Sequence, residues 1–251
     1  MSKILIIGKG NVGRATARSL PMATIDFHDP YQNLWVSEVN DYAYAIVCVD
    51  TLQAGPEDYQ DLDAALTYLS NYSGVLVIRS TIDPNKAMQI SKSFKDKLIL
   101  FPEFMDHHDF KSQNDPASRI VLGGPNKETE YFLNLLGDLG YPSIRDVFLV
   151  SHEEASIIKL SSNAALATKV ILFNTIYKIC EDYGVPYDAV RSAIGADDRI
   201  GLGHTLVPSP DDKELGFGGH CLPKDIKAIA NIDSLGFFSF INELNKKLGR
   251  S

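Results

Sequence analysis

A glycine-rich turn between an apolar run and a helical pattern constrains the fold of this chain more than any other feature. In KILIIGKGNVGRATARSL, Gly8, Gly10 and Gly13 follow the apolar run in G-x-G-x-x-G spacing. The first glycine of such a unit permits a tight turn, the second lets a pyrophosphate approach the backbone, and the third lets the helix pack on the strand. The stretch, which includes Asn11 and Val12, therefore predicts a dinucleotide-binding unit. A glycine turn without a ligand is the alternative.

A second apolar run, ATIDFHDP, ends in an acidic residue near the spacing expected for a ribose-binding carboxylate. Asp29 lies sixteen residues after Gly13, and the usual spacing is roughly 20 residues. A carboxylate here favours NAD over NADP because it can accept a hydrogen bond from the ribose 2′-hydroxyl. Asp26, which we expect one pleat inward on the same face, is the alternative candidate. Either aspartate could instead begin the DPY turn.

Four more short apolar runs follow, with helical segments between several of them. They are YAYAIVCVD, GVLVIRST, KLILFPEF and SRIVLGG. Strands that alternate with helices are typical of a parallel, doubly wound α/β sheet that binds ligands at the carboxyl ends of its strands. We therefore predict a Rossmann-type domain over residues 1–150, with Cys48 buried in the third strand.

Polar residues follow three of these runs. Thr51, Ser80, Thr81 and Glu103 stand where the predicted strands end, so their position makes them candidates for a cofactor crevice. Thr81 could instead cap the next segment or begin the IDP turn.

From Ser151 the pattern changes to that of one long helix. Ser151 and Glu154 form an S-x-x-E capping box, and apolar residues then recur at helical spacing until Gly184 and Pro186. A helix of about 32 residues is about 48 Å long, more than one small domain can cover. We therefore predict an α-helical domain over residues 151–251 whose long central helix also pairs two subunits in a homodimer.

Two polar side chains interrupt the apolar pattern of this helix. Lys159 and Asn163 are four residues apart and therefore project from one helix face. A lysine amine and an asparagine amide that converge beside the sheet could stabilise an oxyanion. A solvated polar stripe is the alternative.

Cys221 lies in the stretch GFGGHCLPKDIKA, after a glycine pair and before a helix that opens with proline. Proline suits a first helical turn, so the cysteine is expected at or just before a helix N-terminus. The helix dipole and free N–H groups there favour the thiolate, which predicts a nucleophile rather than a structural thiol. Gly218 and Gly219 would let a substrate come close.

Composition and charge exclude several classes of function. The net charge of −8 and the absence of a Lys/Arg run argue against nucleic acid or an anionic membrane surface as a partner. The first apolar run is too short for a signal peptide or a membrane span. Three scattered cysteines without a C-x-x-C pair fit a reducing cytoplasm and no zinc site. His107 and His108 lack a third ligand at metal spacing, so we expect no metal.

These motifs together resemble the UDP-glucose/GDP-mannose dehydrogenase family over nearly the whole chain. The stretches that carry the resemblance are GKGNVG, RSTIDP, FPEFM, EASIIKLSSNAALATKVILFNTIYKICEDYGV, DDRIG and GFGGHCLPKD. The resemblance implies an NAD-dependent, two-step oxidation of a nucleotide sugar's primary alcohol to a carboxylate, through a thiohemiacetal and a thioester on a cysteine. UDP-glucose is the default substrate.

The resemblance also implies roles for individual residues. Cys221 matches the family's nucleophile, and Lys159 and Asn163 match the pair that steadies the oxygen during hydride transfer. Asp225 matches the carboxylate that helps to orient the lysine and water, Glu103 the glutamate linked to thioester hydrolysis, and Thr81 the threonine that positions water. Arg199, in DDRIG, either is structural or contacts the substrate.

The sequence departs from the family pattern at three places. It stops at Ser251, where longer members continue into a third domain that binds the nucleotide. His107 replaces a glutamate, and the segment HTLVPSPDDKEL is longer than in a typical member. Two alternatives therefore stay open: a dehydrogenase of a smaller hydroxy acid or sugar derivative, and a catalytically silent NAD-binding assembly module.

Overall fold

The structure is a computed structural model that describes residues 3–52, 55, 58–104, 119–142 and 146–250. The chain divides into two compact units. The first contains the described residues up to Lys159 except Gly55, and the second begins at Leu160. The division falls inside the long helix, whereas the sequence placed the boundary before it, at residue 150.

The first unit is built on a seven-stranded sheet in the order β2-β1-β3-β4-β5-β6-β7. All neighbouring strands are parallel except β5 and β6, which are antiparallel. The predicted doubly wound α/β fold is therefore confirmed, with one antiparallel step and with β7 as a strand that the sequence did not reveal. The strands are β1 Lys3–Ile7, β2 Thr24–His28, β3 Tyr44–Val47, β4 Val75–Ile78, β5 Leu98–Leu100, β6 Arg119–Gly123 and β7 Asp146–Val150.

Helices lie between the strands of this unit. They are α1 Asn11–Arg18, α2 Gln60–Tyr68, α3 Pro84–Phe94, α4 Asn126–Asp138 and the start of α5 His152–Tyr183, with short 3₁₀ turns at Pro30–Gln32, Val39–Asp41 and Lys95–Lys97. Consecutive residues Ile4, Leu5 and Ile6 of β1 are fully buried, as expected of a strand that is covered on both faces. Cys48 is buried just after β3, which confirms its prediction as a core thiol.

The long helix α5 begins and ends as the sequence predicts. The Ser151 backbone N–H donates to Glu154 Oε2 at 2.7 Å, and the Glu154 N–H donates to Ser151 Oγ at 3.2 Å, which is the expected capping box. At the other end the Val185 N–H donates to the Cys180 carbonyl, and Gly184 has a φ of +64°. The left-handed glycine ends the helix.

The second unit is helical. After α5 it contains α6 Tyr187–Gly195, α7 Cys221–Ala230 and α8 Phe237–Lys247. By length and composition, α5 is also the one helix among the described residues that could cross a membrane. A core helix meets the same criterion, and the burial of Leu160, Ala164 and Phe173 favours that interpretation.

Candidate active site

The glycine turn has the geometry that its spacing predicts. Gly8 has a φ of +90°, and a Cβ atom there would lie 2.5 Å from the Cys48 carbonyl oxygen. A Cβ atom on Gly13 would lie 2.0 Å from the Gly8 carbonyl oxygen, so only glycine lets α1 pack this closely on the turn. A Cβ atom on Gly10 would meet no described atom within 4 Å. The turn is therefore tight at its two ends and open at its centre.

The structure separates the two acidic candidates. The Asp29 Oδ2 atom accepts hydrogen bonds from the Lys9 backbone N–H at 2.8 Å and from Gln32 Nε2 at 2.9 Å, so this carboxylate lies beside the glycine turn. Asp26 instead accepts a hydrogen bond from the Tyr42 hydroxyl and pairs with Lys3. The expectation that both point to one face was wrong, because residues three apart in an extended chain face opposite sides.

Hydrogen bonds join the carboxyl ends of β3 and β4. The Thr51 hydroxyl donates to the Thr81 carbonyl at 2.6 Å, and the Ser80 hydroxyl donates to the Val49 carbonyl at 2.7 Å. The backbone N–H of Val49 donates back to Ser80 Oγ at 3.0 Å. Thr51 and Ser80 therefore fix the shape of this edge.

Asp83, rather than Thr81, caps the helix that follows. Its Oδ1 atom accepts hydrogen bonds from the backbone N–H groups of Asn85 at 2.7 Å and Lys86 at 3.0 Å. These are free donors of the first turn of α3. The interpretation of Thr81 as a helix cap is therefore wrong, and its hydroxyl is left for another role.

Thr81 and Lys159 line one small recess in the first unit. Lys159 is buried, and its Nζ atom lies 5.4 Å from the centre of the Phe104 ring. Glu103, which is also buried, follows the carboxyl end of β5. The other residues that line the recess are Ser80 and Ser156, with Ile78, Ile82, Leu100, Pro102 and Ala155 as its apolar walls.

A buried polar cluster in the second unit holds Asn163 and Asp225. Asn163 Nδ2 donates to Asp225 Oδ2 at 2.5 Å, and Lys224 Nζ donates to Asp225 Oδ1 at 2.6 Å. Asp225 is fully buried, and a buried carboxylate requires such partners. Sequence reasoning missed Lys224, although its place in the PKD stretch was a signal.

Cys221 is the first residue of α7 and is exposed. The sequence predicted this position, where free backbone N–H groups favour a thiolate. Gly219 has a φ of +76° and open space around it, as a close approach of substrate requires. At Gly218, by contrast, a Cβ atom would lie 2.8 Å from Arg250 Nη1. Gly218 therefore makes room for an arginine rather than for a substrate.

Residues far along the chain hold the loop before Cys221. Asn245 Oδ1 accepts a hydrogen bond from the Phe217 N–H at 2.8 Å, and Asn245 Nδ2 donates to the Phe217 carbonyl at 3.0 Å. Asn174 Oδ1 accepts from the Gly216 N–H at 2.9 Å, and Arg250 Nε donates to the Leu215 carbonyl at 2.8 Å. Sequence reasoning missed these anchors because no local spacing connects them with the loop.

Alkylation should distinguish the three cysteines. Burial raises the pKa of the Cys48 thiol to about 11, and Cys180 is buried in α5. Since the thiolate is the reactive form, native protein treated with iodoacetamide at neutral pH should carry the label on Cys221 alone, as peptide mass spectrometry would show. Equal labelling of all three under native conditions would contradict the exposure that the structure gives them.

The remaining candidates fall outside this geometry. Arg199 forms an ion pair with Asp197 at 2.6 Å, and its side chain is 89% exposed. An exposed pair of this kind contributes little to stability. His107 and His108 lie outside the described residues.

A glycine turn at the switch point of a doubly wound sheet, followed by a helical unit on one long helix, defines the class of Rossmann-type α/β folds with a helical second unit. Residues 153–246 match the central domain of the UDP-glucose/GDP-mannose dehydrogenase family. The matched stretch begins in α5 and ends in α8.

Curated proteins are similar to this chain over much of its length. The chain is 32% identical to the UDP-glucose 6-dehydrogenase of Rickettsia bellii over 179 residues, which are 69% of this chain and 40% of that protein. It is 30% identical to the Rickettsia typhi enzyme of the same name over 241 residues, 92% of this chain and 53% of that protein. The chain thus spans about half the length of these relatives.

Solved structures share the fold. A UDP-glucose dehydrogenase from Pyrobaculum islandicum superposes with a TM-score of 0.79 at 21% identity, over 99% of this chain and 68% of that one. A 3-hydroxyisobutyrate dehydrogenase from Mycobacterium tuberculosis superposes with a TM-score of 0.74 at 14% identity, over 99% of this chain and 94% of that one.

Proposed function

We propose that this chain is an NAD-dependent nucleotide-sugar 6-dehydrogenase that oxidises the C6 primary alcohol of UDP-glucose to the carboxylate of UDP-glucuronate. The observation that carries the proposal is Cys221, an exposed thiol at the first position of a helix, in the part of the chain that matches the family's central domain. An exposed thiol at a helix N-terminus suits covalent catalysis better than packing.

The residues of the glycine turn fit NAD. The open space at Gly10, flanked by Asn11 and Val12 at the start of α1, leaves room for a pyrophosphate at the helix N-terminus. Asp29 lies beside the turn and can accept the ribose hydroxyl. NAD, when bound, takes up the hydride in each oxidation.

The cofactor assignment can be tested at Gly10. Gly10 has a φ of −71°, which any residue adopts, and a Cβ atom there has open space. The variant Gly10→Ala should therefore keep the thermal midpoint of the native chain. It should bind NAD roughly 10-fold more weakly or worse, since the methyl group occupies the space that the pyrophosphate needs. Calorimetric titration checks the affinity, and undiminished binding would contradict the assignment.

Different residues of the chain are assigned to different steps of the two oxidations. We assign Lys159 to donate to the substrate oxygen. The Asn163 amide uses one N–H on Asp225, and its second N–H can donate to a substrate oxygen. The Cys221 sulfur adds to the aldehyde carbon, and loss of hydride from this thiohemiacetal leaves a thioester. Water then forms a bond to the acyl carbon as the C–S bond breaks, with Glu103 and Thr81 assigned to this step.

We also propose that the chain forms a homodimer and acts in the cytoplasm. Ile157, Leu172 and Ile179 of α5 are about half exposed, and such apolar side chains support pairing of two copies through this helix. The three scattered cysteines, which form no C-x-x-C pair, support a cytoplasmic location. Light scattering during gel filtration would show a dimer if the pairing is real and a monomer if it is not.

A second candidate is oxidation of a smaller hydroxy acid. The observation in its favour is the near-complete coverage, 94%, of the 3-hydroxyisobutyrate dehydrogenase structure by this chain. Such an enzyme would make one NADH per substrate and would retain activity after Cys221→Ser.

The experiment that separates the candidates supplies NAD with UDP-glucose, with other nucleotide sugars, or with small hydroxy acids, and follows NADH absorbance. The first proposal expects turnover with a nucleotide sugar and its loss in Lys159→Met. Turnover only with a small acid would support the second candidate. Binding of NAD without turnover on any substrate would support a silent assembly module.

A further inference from the structure

Two buried side chains join the starts of helices α2 and α3. The Tyr59 hydroxyl donates a hydrogen bond to Asp83 Oδ2 at 2.5 Å, and the Tyr59 oxygen accepts one from the Asp83 backbone N–H at 3.0 Å. Tyr59 immediately precedes α2 and Asp83 immediately precedes α3, and both are buried. A hydrogen bond to a carboxylate is stronger than one between neutral groups, and burial strengthens it further. The pair is therefore a firm link between two segments that are 24 residues apart.

Lys86 forms a second, weaker link between the same helices. Its Nζ atom lies 4.9 Å from the centre of the Tyr59 ring and pairs with Asp63 of α2 at 2.5 Å. The Asp63 side chain is 57% exposed, and ion pairs that are open to solvent contribute little to stability. The Tyr59–Asp83 pair is therefore the contact on which the link depends.

The linked segments include the loops at the carboxyl ends of β3 and β4. Asp83 stands two residues after Thr81, whose carbonyl accepts a hydrogen bond from the Thr51 hydroxyl at 2.6 Å. The Leu52 N–H donates to the Asp58 carbonyl at 2.6 Å, which joins the loop after β3 to the start of α2. Movement of Asp83 would therefore shift both loops.

The two loops lie on the opposite side of strand β1 from Asp29. Strand β1 has β2, which precedes Asp29, on one side, and β3 followed by β4 on the other. A dinucleotide crosses the carboxyl edge of such a sheet at this switch point, with one nucleotide on each side. In the proposed binding mode Asp29 takes the adenosine ribose, so the nicotinamide nucleotide lies at the loops after β3 and β4.

We propose that Tyr59 is a positioning residue for the nicotinamide half of NAD. Its bond to Asp83 holds the loops after β3 and β4 in one arrangement, so that the site for this half is formed before the cofactor binds. Tyr59 acts through Asp83 and the two loops. The inference rests on the proposed use of NAD, whereas the glycine turn and Asp29 hold the adenosine half independently of Tyr59.

The test compares NAD with AMP, which corresponds to the adenosine half alone, in calorimetric titrations of the native chain and of Tyr59→Phe. The variant removes one oxygen atom and keeps the ring. Its affinity for NAD should fall roughly 10-fold, since the lost bond to a charged group no longer holds the loops in place. Its affinity for AMP should stay within about two-fold of the native value, because the change lies on the other side of β1.

Tyr72→Phe is the matched control. The Tyr72 hydroxyl is also buried, but it donates to the Tyr42 carbonyl at 3.1 Å, just before β3 begins. Its loss should lower the thermal midpoint much as Tyr59→Phe does, because each variant loses one buried hydrogen bond. It should leave the affinity for both ligands unchanged, since Tyr72 lies at the amino end of the sheet.

The outcomes separate this inference from the proposed function. If the native chain and Tyr59→Phe bind NAD equally, or if the variant loses NAD and AMP affinity in parallel, the inference is wrong while the proposed cofactor stands. A native chain that binds no NAD overturns the proposed function and this inference with it.

If Tyr59→Phe does not fold, Asp83→Asn replaces it. Asparagine offers one side-chain oxygen to the donors that Asp83 shares between two, so the bond from Tyr59 weakens while the volume is kept. The same selective loss of NAD affinity is expected, and NAD affinity equal to that of the native chain would contradict the inference.

Discussion

Replacing Cys221 by alanine is expected to lower the rate of carboxylate formation by on the order of 10³-fold or more, because a covalent step without its nucleophile has no efficient substitute. Cys221 is exposed at the start of α7, whereas Cys48 and Cys180 are buried. Neither can take over the reaction without local unfolding. The measurement is the rate at which uronate appears, followed by chromatography with mass detection.

The matched control for this variant is Cys180→Ala, which removes a thiol from the interior of the long helix. It should keep the native rate within a few-fold, at most with a modest loss of stability. The account would be contradicted if Cys221→Ala formed carboxylate as fast as this control, since the exposed thiol would then have no part in the chemistry.

Replacing Gly13 by alanine is expected to destabilise the first unit by about 3 kcal/mol or more, because the added carbon overpacks a rigid site. The Cβ atom would lie 2.0 Å from the backbone carbonyl oxygen of Gly8, and no side-chain motion can relieve that contact. Helix α1 must therefore move away from β1, and dinucleotide binding should be lost with it. Denaturant unfolding measures the change in free energy.

Gly137→Ala provides the comparison for this prediction. Gly137 lies in α4, and a Cβ atom there meets no described atom within 4 Å. Alanine in an exposed helix should stabilise the protein by about 0.5–1 kcal/mol. Gly13→Ala and Gly137→Ala are thus expected to shift the free energy of unfolding in opposite directions, and equal values would refute the packing argument.

The parts of the fold that the sequence predicted are those fixed by local chemistry. The spacing of Gly8, Gly10 and Gly13 reflects steric limits that act within one turn. The structure shows the expected close contacts at Gly8 and Gly13 and the expected open space at Gly10. The capping box at Ser151 likewise depends on residues only three apart. Local rules of this kind can be read from one sequence because no distant residue is needed to satisfy them.

The parts that escaped prediction depend on distant contacts. Strand β7 carries exposed apolar residues such as Val147 and Phe148, so its pattern lacked the fully buried character of the inner strands. Asn245 reaches the loop before Cys221 from 28 residues away. The separation of Asp26 from Asp29 needed only the alternation of an extended chain, which the sequence argument misapplied.

In the candidate site, too, features set by neighbouring residues were predictable and features set by distant residues were not. Cys221 was predictable because its glycine pair and proline are neighbours in the chain. Thr81 at the end of β4 and Ser156 in α5 line the same recess although they are 75 residues apart. Ser156 stood in an apolar helical pattern with nothing local to mark it, and only the fold reveals that its hydroxyl is buried beside Lys159.

The most direct test of the central claim counts NADH molecules per sugar consumed, with UDP-glucose limiting and NAD in excess. Oxidation through a sulfur-bound acyl group predicts two NADH and one carboxylate for each sugar. A ratio of one NADH per sugar, with an aldehyde or ketone as the product, would contradict it.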